Sequence, residues 1–134
     1  MLEMKTWTLP LAALLVAAPA AAHAPAIGPH GGLRLHWGAY HVELVPAGKQ
    51  TELYLMRAKD EAPVPAAGTS ATAKILVGGR ISTANFAPAS GNRLVAPVAL
   101  SGDWRANVSV RLPGGSATLL FTAQAAGAAR HAGH

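Results

Sequence analysis

The 134-residue chain has no cysteine, and both its aromatic residues (5%) and its charged residues (13%) are sparse. Without cysteine there is no disulfide and no thiolate, so any metal ion has to be held by nitrogen and oxygen donors, with methionine sulfur as the one soft alternative. Acidic residues are scarcer than basic ones, six against eleven, which gives a formal net charge of +5. The cations are scattered from Arg34 to Arg130 with few rings between them. That spread excludes the clustered basic stripe of a nucleic-acid binder and predicts only a general attraction to anionic surfaces. Common catalytic arrangements are missing as well. Both aspartates, Asp60 and Asp103, fall at predicted turns, no serine stands in a Gly-x-Ser-x-Gly elbow, and no glycine-rich phosphate loop leads into a helix. The chain therefore reads as a binding protein rather than an enzyme.

One apolar run stands out, Leu9 to Ala18, preceded by Lys5 and followed by Ala20-x-Ala22. It is too short to span a bilayer and reads as a signal peptide over residues 1–22, whose removal leaves His23 as the N-terminus. Lys5 and Glu3 leave together, so the net charge is unchanged. The remainder predicts a periplasmic protein with no membrane span. It divides into an arm over 23–32, one β domain over 33–124 and a flexible histidine-containing tail over 125–134.

Glycine and proline break this remainder into short alternating segments. In Trp104 to Leu112 the residues Trp104, Ala106, Val108, Val110 and Leu112 share one face and Arg105, Asn107, Ser109 and Arg111 the other, the period of a strand buried on one side. A turn at Pro113, Gly114 and Gly115 leads into a second strand with Ala117, Leu119, Phe121 and Ala123 inward. Further strands are predicted at 33–37, 39–45, 51–57, 71–77, 80–86 and 93–100, with Gly78-Gly79 as another tight hairpin. Seven or eight short strands at this spacing predict an antiparallel immunoglobulin-like β-sandwich, with a small barrel as the competitor.

The histidines carry the available chemistry. His41 and Glu43 alternate with Tyr40, Val42 and Leu44, so they project from one face about 7 Å apart, either as solvent-facing residues or as two ligands of one ion. His30 stands at the glycine-rich bend Pro29-His30-Gly31-Gly32, where missing side chains let the backbone approach closely. A hairpin through Trp37 to Tyr40 would return His36 to His41, so His30, His36, His41 and Glu43 are candidate ligands near one end of the domain. Zinc and copper both accept such a set. A free His23 adds its α-amine and ring nitrogen as a chelate that copper favours. His131 and His134 read as parts of a disordered terminus, and Met56 as packing.

Read together, Pro29-His30-Gly31-Gly32, Tyr40-His41-Val42-Glu43-Leu44, Leu53-Tyr54-Leu55, Pro63-Val64-Pro65 and Phe86-Ala87-Pro88 resemble a family. It is the small periplasmic β domain found alone or attached to adaptor (membrane-fusion) proteins of heavy-metal efflux systems. The resemblance spans most of the mature chain, and its distinctive part is His-Gly-Gly with the following glutamate. It implies association with copper or divalent-ion handling and makes His30 and Glu43 the functional positions. A looser similarity, resting on His23 and the strand pattern, is to periplasmic copper-resistance sandwiches that begin with histidine. This chain lacks their methionine-rich segment and their acidic partner near the terminal histidine. The expected function is that of a copper or zinc carrier, buffer or accessory factor in metal efflux or resistance. The alternative is a metal-free module that docks to an efflux adaptor or other envelope protein.

Overall fold

The computed structural model describes residues 24–132; the predicted signal peptide, His23 and His134 lie outside them. Nine strands follow one another: β1 (Ala26–Ile27), β2 (Leu33–Trp37), β3 (Tyr40–Ala47), β4 (Gln50–Arg57), β5 (Ser70–Val77), β6 (Arg80–Pro88), β7 (Arg93–Ala96), β8 (Arg105–Leu112) and β9 (Gly115–Thr122). A helix, α1 (Ala123–Ala132), ends the described chain. All strand pairs are antiparallel and join in one order, β1-β2-β3-β4-β7-β6-β5-β8-β9. The class is therefore all-β, a curled sheet of nine strands rather than seven or eight. β6 turns the corner between its halves: Arg80 to Phe86 pair with β5, then Ala87 and Pro88 pair with Val95 and Leu94 of β7.

The core lies inside the curl. Val42, Leu44, Leu53, Leu55 and Leu94 enter it from one half, and Ile75, Ala106, Val108, Val110 and Phe121 from the other, all at or near zero exposure. Each large side chain so buried contributes about 1.5–3 kcal/mol of transfer free energy. The alternation of β8 holds throughout, because its other face, Arg105 to Arg111, is in water. Gly78 and Gly79, with φ of 57° and 79°, make the β5–β6 hairpin. Two positive φ values match the twist of the flanking strands and suit glycine best.

The curl is latched at one end and capped along its seam. Tyr40 Oη donates to the Pro113 carbonyl at 2.9 Å, tying the β2–β3 tip to the β8–β9 tip. The ring of Trp37 stacks beside Tyr40, 6.4 Å between centroids, and reaches Gly115 closely. α1 packs against β1, β2 and β9, burying Ala126 and Ala129.

Three segments differ from the sequence reading. The expected flexible tail is helical through Ala132: Thr122 Oγ1 accepts from the Ala125 amide at 2.9 Å, an N-cap bond, and two alanines pack inward. Those contacts outweigh the cost of Gly127 inside the helix. The arm expected over 23–32 carries a short strand, with Ala26 and Ile27 pairing Arg34 and Leu33. The strand expected to reach Leu100 stops at Ala96, because Pro97 cannot donate and the Val98 amide turns back to the Ala96 carbonyl.

Candidate functional site

Two cross-strand rows build the site on the outer face of β2, β3, β4 and β7. One runs Arg34, Glu43, Tyr54, Arg93, and the next His36, His41, Met56, with Pro63 bridged to Met56. An outer face of an antiparallel sheet is ordinarily wet. Here Glu43 is fully buried, Met56 is 1% exposed and His41 8%. Two connections cover the face, the bend at 28–32 and the loop at 58–62.

The bend is held by Glu43. Its carboxylate accepts from the Gly32 amide at 2.7 Å, from the His30 amide at 2.9 Å on one oxygen and 3.2 Å on the other, and from His30 Nδ1 at 2.8 Å. Both backbone groups can only donate, and the imidazole nitrogen completes the set at Oε1. The glycines are dictated by this closeness. A Cβ on Gly28 would fall on the Glu43 carboxyl group, and one on Gly32 on the Leu44 carbonyl oxygen. The bend closes on itself through Gly28 N to Gly32 O and Gly31 N to Gly28 O, and the His30 ring stacks flat on Tyr54 at 3.6 Å.

The loop is held by Glu61. Its Oε2 accepts from Arg34 at 2.6 Å and from His41 Nδ1 at 3.0 Å. Glu61 is the only non-glycine residue with positive φ, 58°, among the described residues. Its amide donates to the Arg57 carbonyl, and the Arg57 amide to that of Ala62, which fixes the loop over the sheet. The rings of His36 and His41 meet edge to face with centroids 5.4 Å apart.

The four sequence candidates thus lie on one face but divide into two units, His30 with Glu43 and His36 with His41. Among the described residues no group of three or more His, Asp or Glu is gathered as a ready-made ligand set. His131 is exposed on α1, and Met56 is buried as packing. No family model, curated protein or solved structure matches the chain. The sequence reading missed Glu61, Arg34, Tyr54 and Gly28. Arg34 opposite Glu43 was available from hairpin register, whereas Glu61 arrives from a loop with no periodic signal.

Next to this unit lies a charged cluster on the same face. Glu52 accepts from Arg93 at 2.7 Å, from Tyr54 Oη at 2.9 Å and from Gln50 at 3.2 Å. Burial opposes its ionisation, but these three hydrogen bonds and the Arg93 charge outweigh burial and hold its pKa below the ordinary 4.5. Tyr54 is pushed above its ordinary 10.0 by burial first, then by its bond to Glu52 and the charges of Glu52 and Glu43, with Arg93 opposing. The lowered Glu52 pKa means that its stabilising contribution is complete above about pH 4.5 and is lost as pH falls through the folded value. Arg93→Leu is expected to cost about 1 kcal/mol at neutral pH, the pair being partly open to solvent. The difference in urea midpoint from wild type should shrink between about pH 5 and pH 3. A difference constant over that range would assign the effect to packing of the Arg93 stem.

Proposed function

We propose that the chain is a periplasmic transition-metal binding protein that takes copper or zinc through imidazole Nε2 atoms and serves as a carrier, buffer or accessory factor in metal efflux or resistance. The observation that carries this reading is that His41 has Nδ1 on a carboxylate, Glu61, while its ring adjoins that of His36. A carboxylate on Nδ1 fixes the tautomer that leaves Nε2 as the lone-pair nitrogen, the usual arrangement behind a metal-binding histidine. The ring centroids of His36 and His41 lie 5.4 Å apart, a separation that would allow both imidazoles to hold one ion. His30 repeats the arrangement with Glu43. In this reading Glu43 orients His30 and is not itself a ligand, since three donors already occupy its oxygens. Remaining coordination comes from water or from His23, and an incompletely filled set suits transfer to a partner.

A second reading, the metal-free docking module, is favoured by a different observation. A groove of about 790 Å³ opens at the latched end, floored by Tyr40, Pro63, Val64, Pro65 and Pro113 and edged by Arg57 and Lys59, with no acidic residue in its lining. It suits an apolar segment of an envelope protein that carries carboxylates.

Calorimetric titration of Cu(II) and Zn(II) separates the two. The chain beginning at His23 is expected to bind one ion with micromolar or tighter affinity. His36→Ala and His41→Ala should each weaken it at least about tenfold, and binding should fall at mildly acid pH as imidazoles protonate. No saturable binding of either ion would leave the docking reading in place.

A further inference from the structure

The charges of this fold are segregated, and the side opposite the histidines holds the excess. β5, β6, β8 and β9 carry Lys74, Arg80, Arg105 and Arg111 and no Asp or Glu at all. Among the described residues, Glu43, Glu52 and Glu61 are spent in ion pairs on the other half of the sheet and Asp60 lies in the loop beside Glu61. Asp103, in the turn before β8, is the one acidic side chain near the cationic face among the described residues.

Register gathers Lys74 and Arg105 with apolar side chains at one corner, whereas Arg111 lies at the other end of β8, opposite Ser70 and Ser116. One cross-strand row on the outer face reads Ile81, Leu76, Arg105, Thr122, and the next Thr83, Lys74, Asn107, Leu120. Ile81 is 74% exposed and Leu120 54%, the two exposed large hydrophobics of the described chain. Arg80 and the Gly78-Gly79 turn stand at the tip beside Ile81. None of Lys74, Arg80 and Arg105 has an ion-pair partner among the described residues. The aromatic residues of this half, Phe86, Trp104 and Phe121, are all buried.

We propose that the corner formed by Lys74, Leu76, Ile81, Arg105 and Leu120 docks the protein on an anionic phospholipid surface. Cations meet the phosphate headgroups while Ile81 and Leu120 enter the boundary with the acyl chains, the division of labour of interfacial anchoring. A polyanion such as nucleic acid or an acidic glycan satisfies the cations but gives nothing to exposed Ile81, and no ring is available on this face to stack a base. The corner lies at the end of β5 and start of β8, the opposite end from the Tyr40–Pro113 latch. Docking there leaves the groove and the His36–His41 hairpin away from the membrane.

The test is flotation of the chain beginning at His23 with vesicles of phosphatidylglycerol and phosphatidylcholine, against phosphatidylcholine alone, so that the apolar 9–18 run takes no part. Binding is expected on the mixed vesicles only. At about fivefold per surface charge, Lys74→Gln with Arg105→Gln should lower the partition coefficient about 25-fold. Ile81→Ser with Leu120→Ser should lower it about tenfold or more. Lys49→Gln, an exposed cation on the other half, should change it by no more than the general share of one charge, and circular dichroism checks that each variant is folded. No binding to anionic vesicles, or an equal loss with Lys49→Gln and with the corner pair, overturns the proposal. So does tighter capture by heparin or RNA that Ile81→Ser with Leu120→Ser leaves unchanged, since that identifies a polyanion as the occupant.

Discussion

Replacing Glu43 with alanine is expected to lower stability by about 3 kcal/mol, read as a shift of the urea midpoint at unchanged slope. The carboxylate is fully buried, and its loss leaves the Gly32 amide, itself buried, without an acceptor and frees His30 from its amide and ring bonds. An unsatisfied buried donor alone costs about 1–3 kcal/mol, and three bonds to this side chain are lost together. Glu43→Gln should fall between, because one amide oxygen can still accept while the amide nitrogen faces donors. Hydrogen exchange at His30 and Gly32 should accelerate in both variants before the rest of the sheet is affected. A variant as stable as wild type, with these amides still protected, would mean that the bend is held by its own backbone bonds.

Removing the Glu61 carboxylate is expected to weaken metal binding about 10- to 100-fold, the usual loss when the group that orients a ligating histidine is taken away. Glu61→Gly is the informative variant. It deletes the acceptor for His41 Nδ1 and Arg34, yet also relieves a side chain held at φ 58°, a conformation that costs other residues about 1–2 kcal/mol. Stability should therefore change little while affinity falls. Parallel calorimetric and urea titrations check both quantities. Affinity equal to wild type would show that His41 needs no orientation from this loop, and the metal reading would lose its main support.

These residues also show where the sequence was readable. β8 could be read whole because one face meets the core and the other meets water, so burial and pattern agree. β3 could be read only on its inner side. The alternation placed Val42 and Leu44 correctly, but nothing local to Tyr40–Ala47 says that its outer face is covered by chain from 28–32 and 58–62. The Gly31-Gly32 pair signalled a close approach, which Gly32 makes while Gly31 supplies a positive φ of 82°, but not what was approached. Gly28 carried the same message unread, its partner being a side chain fifteen positions away. The tail was misjudged for a similar reason: Gly127 weakens a helix in isolation, whereas burial of Ala126 and Ala129 against the seam depends on the finished curl.

The bond between Tyr40 and Pro113 joins residues 73 positions apart and is among the most non-local ties in the described chain. A chain is synthesised N-terminus first, so β2, β3 and the loop carrying Glu61 are available before the β8–β9 tip. The hairpin that holds His36 and His41 can form early, since its pairing is local, but it can be clamped only when the last hairpin arrives. Loop-closure entropy for such a separation has to be met before the contact rewards it. Maturation of the histidine face is thereby made a late event in the protein's assembly, and an ion that favours the clamped arrangement would be taken up by the completed domain rather than by the emerging chain.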